Sequence, residues 1–184
     1  MRVVSINVGR PREVLDLRGR SVLTSIWKSP VEGPVRVRAE NLEGDEQSDL
    51  SVHGGRDKSV YLYPHEHYDY WRRELPDAPL PLGVFGENLT TEGLLETEVH
   101  VGDRLRIGSA EFMVTQPRTP CFKLQIRFGR EDMIKRFLQA GRSGLYVAVL
   151  RQGVIDTGDA ITLVQGEPAG ITIAAAAAIR AGQM

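Results

Sequence analysis

Glycine and proline punctuate this chain throughout, nineteen of the first and ten of the second in 184 residues. That punctuation leaves little room for long uninterrupted elements. Proline fixes φ and removes a backbone donor, and glycine enters turns that other residues avoid. The chain must therefore be built from many short segments with tight connections. Val3, Ile6 and Val8 sit in a β-rich run that ends at Gly9. Ser21 to Trp27 is a second apolar run, closed by Lys28-Ser29-Pro30. Pro34 to Arg38 alternates apolar and basic residues, the period of a half-exposed strand. Ser59 to Tyr63, Ala110 to Thr115 and Leu145 to Leu150 read as further strands. Gly102-Asp103 and Gly158-Asp159 mark hairpin or corner turns flanked by short strands, and not a true repeat.

Helical spacing occurs in three places. After Pro64, a residue suited to the first position of a helix, Tyr68, Trp71 and Leu75 recur as one packed face. Glu131 to Ala140 predicts a helix with Met133, Ile134, Phe137 and Leu138 inward and Gly141 as its stop. The alanine-rich tail predicts a short terminal helix capped by Thr172. Many short strands with two or three helices predict an α+β domain, β-rich and barrel-like, with helices at its periphery. Its boundaries fall at 1–165, with 166–184 a short helical tail.

Composition removes several function classes. The 23 basic and 24 acidic residues leave a net charge of −1, so no broad basic field is available for a nucleic-acid polymer. One cysteine cannot form an internal disulfide, which suits a reducing cytoplasm. No apolar run approaches the roughly 20 residues that span a bilayer. Met1 to Gly9 reads as a first strand and not as a signal peptide.

That single cysteine lies in Gln116-Pro117-Arg118-Thr119-Pro120-Cys121-Phe122-Lys123. The two prolines are expected to end strand pairing and stiffen a loop that carries Cys121. Arg118 and Lys123 place cations near a thiol, a setting that favours the thiolate, which attacks electrophiles and ligates soft metals. The alternative is a small buried hydrophobe. A second stretch, Asp49 to Lys58, contains His53-Gly54-Gly55-Arg56-Asp57-Lys58. Paired glycines let backbone donors approach an anion, with His53, Arg56 and Lys58 adding side-chain donors. A Gly-Gly turn among solvated charges is the other reading. It is neither a Walker A loop nor a dinucleotide fingerprint. In the third stretch, Gly83 to Thr91, Glu87 and Asn88 either brace their own loop or read a polar ligand. His65 and His67 are two apart and do not share a helical face. With no HExxH or CxxC, a protein-bound zinc site is not expected.

Taken in order, these stretches resemble the MOSC domain family, named after the C-terminal domain of molybdenum cofactor sulfurase, and in particular its stand-alone bacterial YiiM-like branch. The resemblance rests on Lys28-Ser29-Pro30-Val31, Asp49 through Lys58, Gly86-Glu87-Asn88-Leu89, Gly102-Asp103, Gln116 through Cys121, and Gly144-Leu145-Tyr146. It covers residues from about 20 to 165, and the residues from Gly170 look like a shortened helical appendage.

The resemblance implies a β-barrel-like fold whose pocket takes molybdenum cofactor, a pterin dithiolene ending in a phosphate. Cys121 would ligate the metal. Lys28, His53, Gly54, Gly55, Lys58, Asn88 and Arg118 would hold the cofactor, with cations and backbone donors on its phosphate and oxo groups. Relatives of this branch reduce N-hydroxylated bases and related compounds with electrons from a separate flavin, haem or iron–sulfur protein. The expected partners are thus a small-molecule substrate and that donor, with the chain a monomer or homodimer. The pyridoxal phosphate of the sulfurase belongs to its other domain and is not expected here. Other MOSC domains are proposed to carry sulfur as a persulfide, a second role open to Cys121.

Overall fold

The structure, a computed structural model, describes residues 1–48, 54–167 and 169–182. Its strands are β1 (Arg2–Val8), β2 (Arg12–Leu15), β3 (Ser21–Thr24), β4 (Ser29–Val31), β5 (Val35–Val37) and β6 (Val60–Pro64). They continue with β7 (Leu89–Glu92), β8 (Arg104–Ile107), β9 (Ala110–Pro117), β10 (Leu145–Arg151), β11 (Gly153–Ile155) and β12 (Ile161–Gln165). The helices are α1 (Glu66–Glu74), α2 (Phe122–Phe128), α3 (Met133–Ala140) and α4 (Ile173–Gly182). No helix of the described residues is long and apolar enough to cross a membrane.

Eight strands form one mixed sheet in the order β12-β8-β9-β10-β6-β7-β1-β4. The β6–β7 pair is parallel and its other pairs are antiparallel. The sheet is not a closed barrel, because β12 and β4 remain its edges. It nevertheless curls back on itself. A bridge joins Arg2 to Ala160, and the Ile161 N–H donates to the Met1 carbonyl at 2.9 Å. Pro30 sits on the edge strand β4, where a missing donor leaves no ladder bond unmade.

Strand β6 is buried along its whole length and divides the core. Val60 and Leu62 point into an aliphatic cluster with Val3, Ile6, Leu89, Phe112 and Val147. Tyr61 and Tyr63 point the other way, into a cluster with Tyr68 and Trp71 of α1 and Met133 and Phe137 of α3. This is the alternation of a strand covered on both faces. Trp71 donates its indole N–H to the Tyr63 hydroxyl at 2.7 Å, satisfying the one polar group that a buried tryptophan carries.

Several local expectations shift. Pro64 ends β6, and His65 precedes the first turn of α1. Strand β9 runs on through Pro117, which pairs with Leu145. β8 reaches only Met113, so the missing N–H at Pro117 is not demanded from that side. The flank before Gly102 is no strand; His100 makes a single bridge to Thr172. Helix α2 went unseen in the sequence. Its apolar residues, Phe122, Leu124, Ile126 and Phe128, alternate with polar ones, a strand-like period of two that carries no helical signal. Thr172 does cap α4, accepting the Ala175 N–H at 3.2 Å.

Gly144 shows how tightly the sheet closes over the aromatic cluster. Its φ is +63°, and a Cβ there would stand 2.5 Å from the Leu62 carbonyl oxygen and 2.8 Å from the rings of Tyr61 and Tyr63. Gly141, which ends α3, has a similar φ of +62° with open space around it. Gly144→Ala should therefore lower unfolding free energy by more than about 2 kcal/mol, against about 1 kcal/mol for Gly141→Ala. Denaturant titration of both variants checks the difference; equal losses would show that the close approach carries no strain.

Candidate active site

Several of the residues that stood out along the sequence come together beside β6, β9 and β10. Register places the end of β9 beside the start of β10, with Leu145 opposite both Pro117 and Leu62. A cavity of about 90 Å³ opens there, with Lys28, Gly54, Lys58, Asn88, Arg118 and Cys121 on its walls. Tyr61, Tyr146, Asp45, Ser48 and Lys123 join them. That volume holds several water-sized groups, each taking roughly 10–15 Å³. A space of that size has room for an oxyanion or a metal-bearing group, with the rest of a larger ligand extending outward. Ser48 and Gly54, the residues flanking 49–53, both line it. His53 lies outside the described residues. Gly55 opens the short helical turn Arg56–Lys58 and is not among the described lining residues. Arg56 is a correction: exposed, it borders a separate hollow with Glu40 and Gln152.

Lys28 reaches the cavity from the segment between β3 and β4, and its charge is answered inside the protein. Its ammonium forms a buried ion pair with Asp45. Burial pushes the Lys28 pKa down, and the Asp45 carboxylate offsets part of that. Asp45 also accepts the Gly9 N–H and the Asn88 side-chain N–H, both at 2.9 Å. The other end of the Asn88 amide accepts the Tyr61 N–H at 3.1 Å. Asn88 thus ties β6 to the floor of the cavity.

Glu87 has a structural place. Fully buried, it accepts from the Tyr68 hydroxyl, from Gly83 and Phe85 N–H at 2.9 and 3.1 Å, and from the Thr90 hydroxyl at 3.1 Å. Burial raises its pKa against those donors. Of the two readings of this loop, bracing is the one the geometry shows for Glu87.

Arg118 brings a buried cation to the cavity wall. Only 8% exposed, its guanidinium lies 4.9 Å from the Tyr61 ring centre and 5.3 Å from that of Phe137. Burial works against its charge, but Tyr61, Tyr146 and the Cys121 sulfur outweigh it and hold the pKa above its ordinary value. Burial in turn raises both tyrosine hydroxyls, against the pull of Arg118. Arg118 Nη1 is buried with no hydrogen-bond partner among the described residues. An unanswered donor on a buried cation is costly. Lys123, also 8% exposed, meets among the described residues a neutral partner, the Ser48 hydroxyl at 3.1 Å.

Cys121 is half-buried and takes an extended backbone conformation immediately before α2. Among the described residues no three His, Cys, Asp or Glu side chains gather as a metal-binding group. A metal at Cys121 would therefore bring most of its ligands with it. Among the described residues four basic side chains line the cavity against two acidic ones, Asp45 and Glu46. An anionic ligand that carries its own metal fits this donor set, with a soft sulfur, buried cations and an orphaned guanidinium nitrogen.

Sequence reasoning missed Asp45, Tyr61, Tyr146 and the buried state of Lys123. The signal for Lys123 was its place two residues after Cys121. A lone aspartate in the polar run Glu43 to Ser48 offers none.

Comparison with known proteins agrees with this architecture. Residues 49–162 match the MOSC domain. The uncharacterized protein YflK of Bacillus subtilis is 42% identical over 93% of this chain and 76% of its own. A Gibberella moniliformis protein named Reductase is 37% identical over 80% of this chain, which corresponds to only 27% of that protein. The crystal structure of YiiM from Geobacillus stearothermophilus superposes with a TM-score of 0.81 at 37% identity, covering 99% of this chain and 84% of that one. Family match, sequence identity and superposition point the same way, and the chain belongs to the MOSC domain family.

Proposed function

We propose that this protein is an oxidoreductase that uses molybdenum cofactor to reduce N-hydroxylated bases or related N-oxygenated compounds. The observation that carries the reading is the placement of Cys121 on one cavity wall with Arg118, a buried cation whose Nη1 finds no acceptor among the described residues. Such a cation is stabilised by an anion that arrives from outside. The similarity to a fungal reductase supports the same class of chemistry.

Removal of an oxygen atom, with the matching change in metal oxidation state, is what molybdenum cofactor supplies when bound. The chain's own residues bind and orient. Cys121 contributes a soft sulfur donor to the metal. Arg118, Lys58 and Lys123 place positive charge where phosphate and oxo groups would lie. Lys28, already paired with Asp45, shapes the cavity floor and adds little net charge. Overall, N–OH becomes N–H and water on taking up two electrons and two protons. Those electrons come from a separate flavin, haem or iron–sulfur protein.

A second reading has its own support, because a cavity of about 90 Å³ also suits a persulfide carried on Cys121. Two predictions separate them. Cys121→Ser should abolish reduction of an N-hydroxylated base while the melting temperature stays near wild type, since one sulfur-to-oxygen change at a cavity wall costs little packing. Full activity in that variant would remove the ligand role. Lys58→Ala should weaken cofactor retention roughly tenfold to hundredfold, the worth of one charge-assisted hydrogen bond to phosphate. It should leave persulfide loading unchanged. Molybdenum and persulfide per chain, measured side by side in wild type and variant, decide. A wild type that takes up persulfide and never molybdenum makes the chain a sulfur carrier.

A further inference from the structure

On the far side of Arg118 lies a second cavity, of about 330 Å³, enclosed by α3, α4 and the Pro117–Pro120 segment. Among the described residues its walls carry three arginines, Arg118, Arg142 and Arg180, and no acidic residue. Phe137 and the alanine side of α4, including Ala177 and Ala178, supply the apolar surface. Guanidinium groups stay charged at any physiological pH and can only donate hydrogen bonds. Among the described residues none of the three is paired with a carboxylate. Arg180 donates to the Gln116 side-chain oxygen at 2.9 Å and reaches the Pro117 carbonyl at 3.5 Å, both neutral. Arg142 lies over the Tyr70 ring, 4.5 Å from its centre, and its buried Nε lacks a hydrogen-bond partner among the described residues.

Arg142 is also held in place from behind. Its Nη1 lies 3.1 Å from His67 Nδ1. Since arginine cannot accept, Nδ1 must, which puts the imidazole proton on Nε2. That proton is donated to the buried carboxylate of Glu96, at 2.8–2.9 Å. Glu96 is fixed in turn by the Gly144 N–H at 2.7 Å. Burial opposes the Glu96 charge, but the His67 hydrogen bond and the Gly144 N–H keep its pKa below the ordinary carboxylate range. This buried chain sets the direction of one cavity-lining guanidinium before any ligand arrives.

We propose that this second cavity binds a small organic oxyanion, a carboxylate or phosphate carried on a compact apolar body such as an aromatic ring. Unpaired arginines match such groups through two parallel N–H donors. The volume falls within the range of small-molecule sites, and the mix of apolar wall and a few convergent polar groups is that of a ligand pocket. Arg118 borders both cavities, so a ligand here would sit across a single side chain from the Cys121 cavity.

Calorimetric titration of the full chain with benzoate, phenyl phosphate and the uncharged isostere benzamide tests the site. It needs no molybdenum, so its outcome is separate from the role of Cys121. One or both anions should bind and benzamide should not, and the stronger anion names the headgroup. Arg180→Gln, at an exposed position, should weaken binding about tenfold or more, and Arg142→Gln likewise. Ala177→Leu, which fills the cavity and keeps every charge, should block it. Arg56→Gln, in a different hollow, should change nothing. Absence of anion binding, equal binding of benzamide, or anion binding that survives both Arg180→Gln and Ala177→Leu would overturn the proposal.

Discussion

Taking a carboxylate out of water costs several kcal/mol unless donors replace the lost hydration, and Asp45 finds those donors in three separate parts of the chain. Lys28 comes from between β3 and β4, Gly9 from the end of β1, and Asn88 from the turn into β7. Through Asn88 the network also reaches the backbone of β6, the strand that divides the core. Removal of any one partner leaves a buried polar group unanswered, so the segments are fixed relative to one another. The cavity that Cys121 faces is the concave side of this junction.

Against that fixed floor, Arg118 is the part left incomplete. It packs on Tyr61 and Phe137, and its charge is favoured by nearby tyrosine oxygens and by the cysteine sulfur, but no described carboxylate pairs with it. The same pattern recurs at Arg142, which His67 and Glu96 orient without neutralising. A fold that holds cations in place and leaves them unpaired is arranged for anions. Lys28 is the counterexample within the same cavity. Its charge is answered by Asp45 and not left open.

Much of this was legible in the sequence. Alternation and glycine–proline punctuation located β5, β6, β9 and β10, and the Tyr68-Trp71-Leu75 stripe located α1. The same glycines and prolines misled at Pro64 and Pro117, because a proline at a strand end loses nothing when its missing donor faces no neighbour. Helix α2 carries its apolar residues at every second position, a strand-like period that hid it. Charged residues were harder than strands. Asp45 lies 43 residues from Asn88 and Arg142 lies 75 from His67, and pairings that distant follow from topology, which local pattern does not encode. Arg56 and Lys58 sit two apart and were read together, but a tight helical turn sends them to different hollows.

On the proposed reading, the sulfur of Cys121 binds molybdenum. X-ray absorption at the molybdenum edge, on protein made in a host that synthesises the cofactor, addresses it directly. Wild type should show one more sulfur neighbour around the metal than Cys121→Ser, with the dithiolene sulfurs present in both. The same sulfur count in the two proteins, with molybdenum bound in each, would contradict the claim and leave Cys121 without a role at the metal.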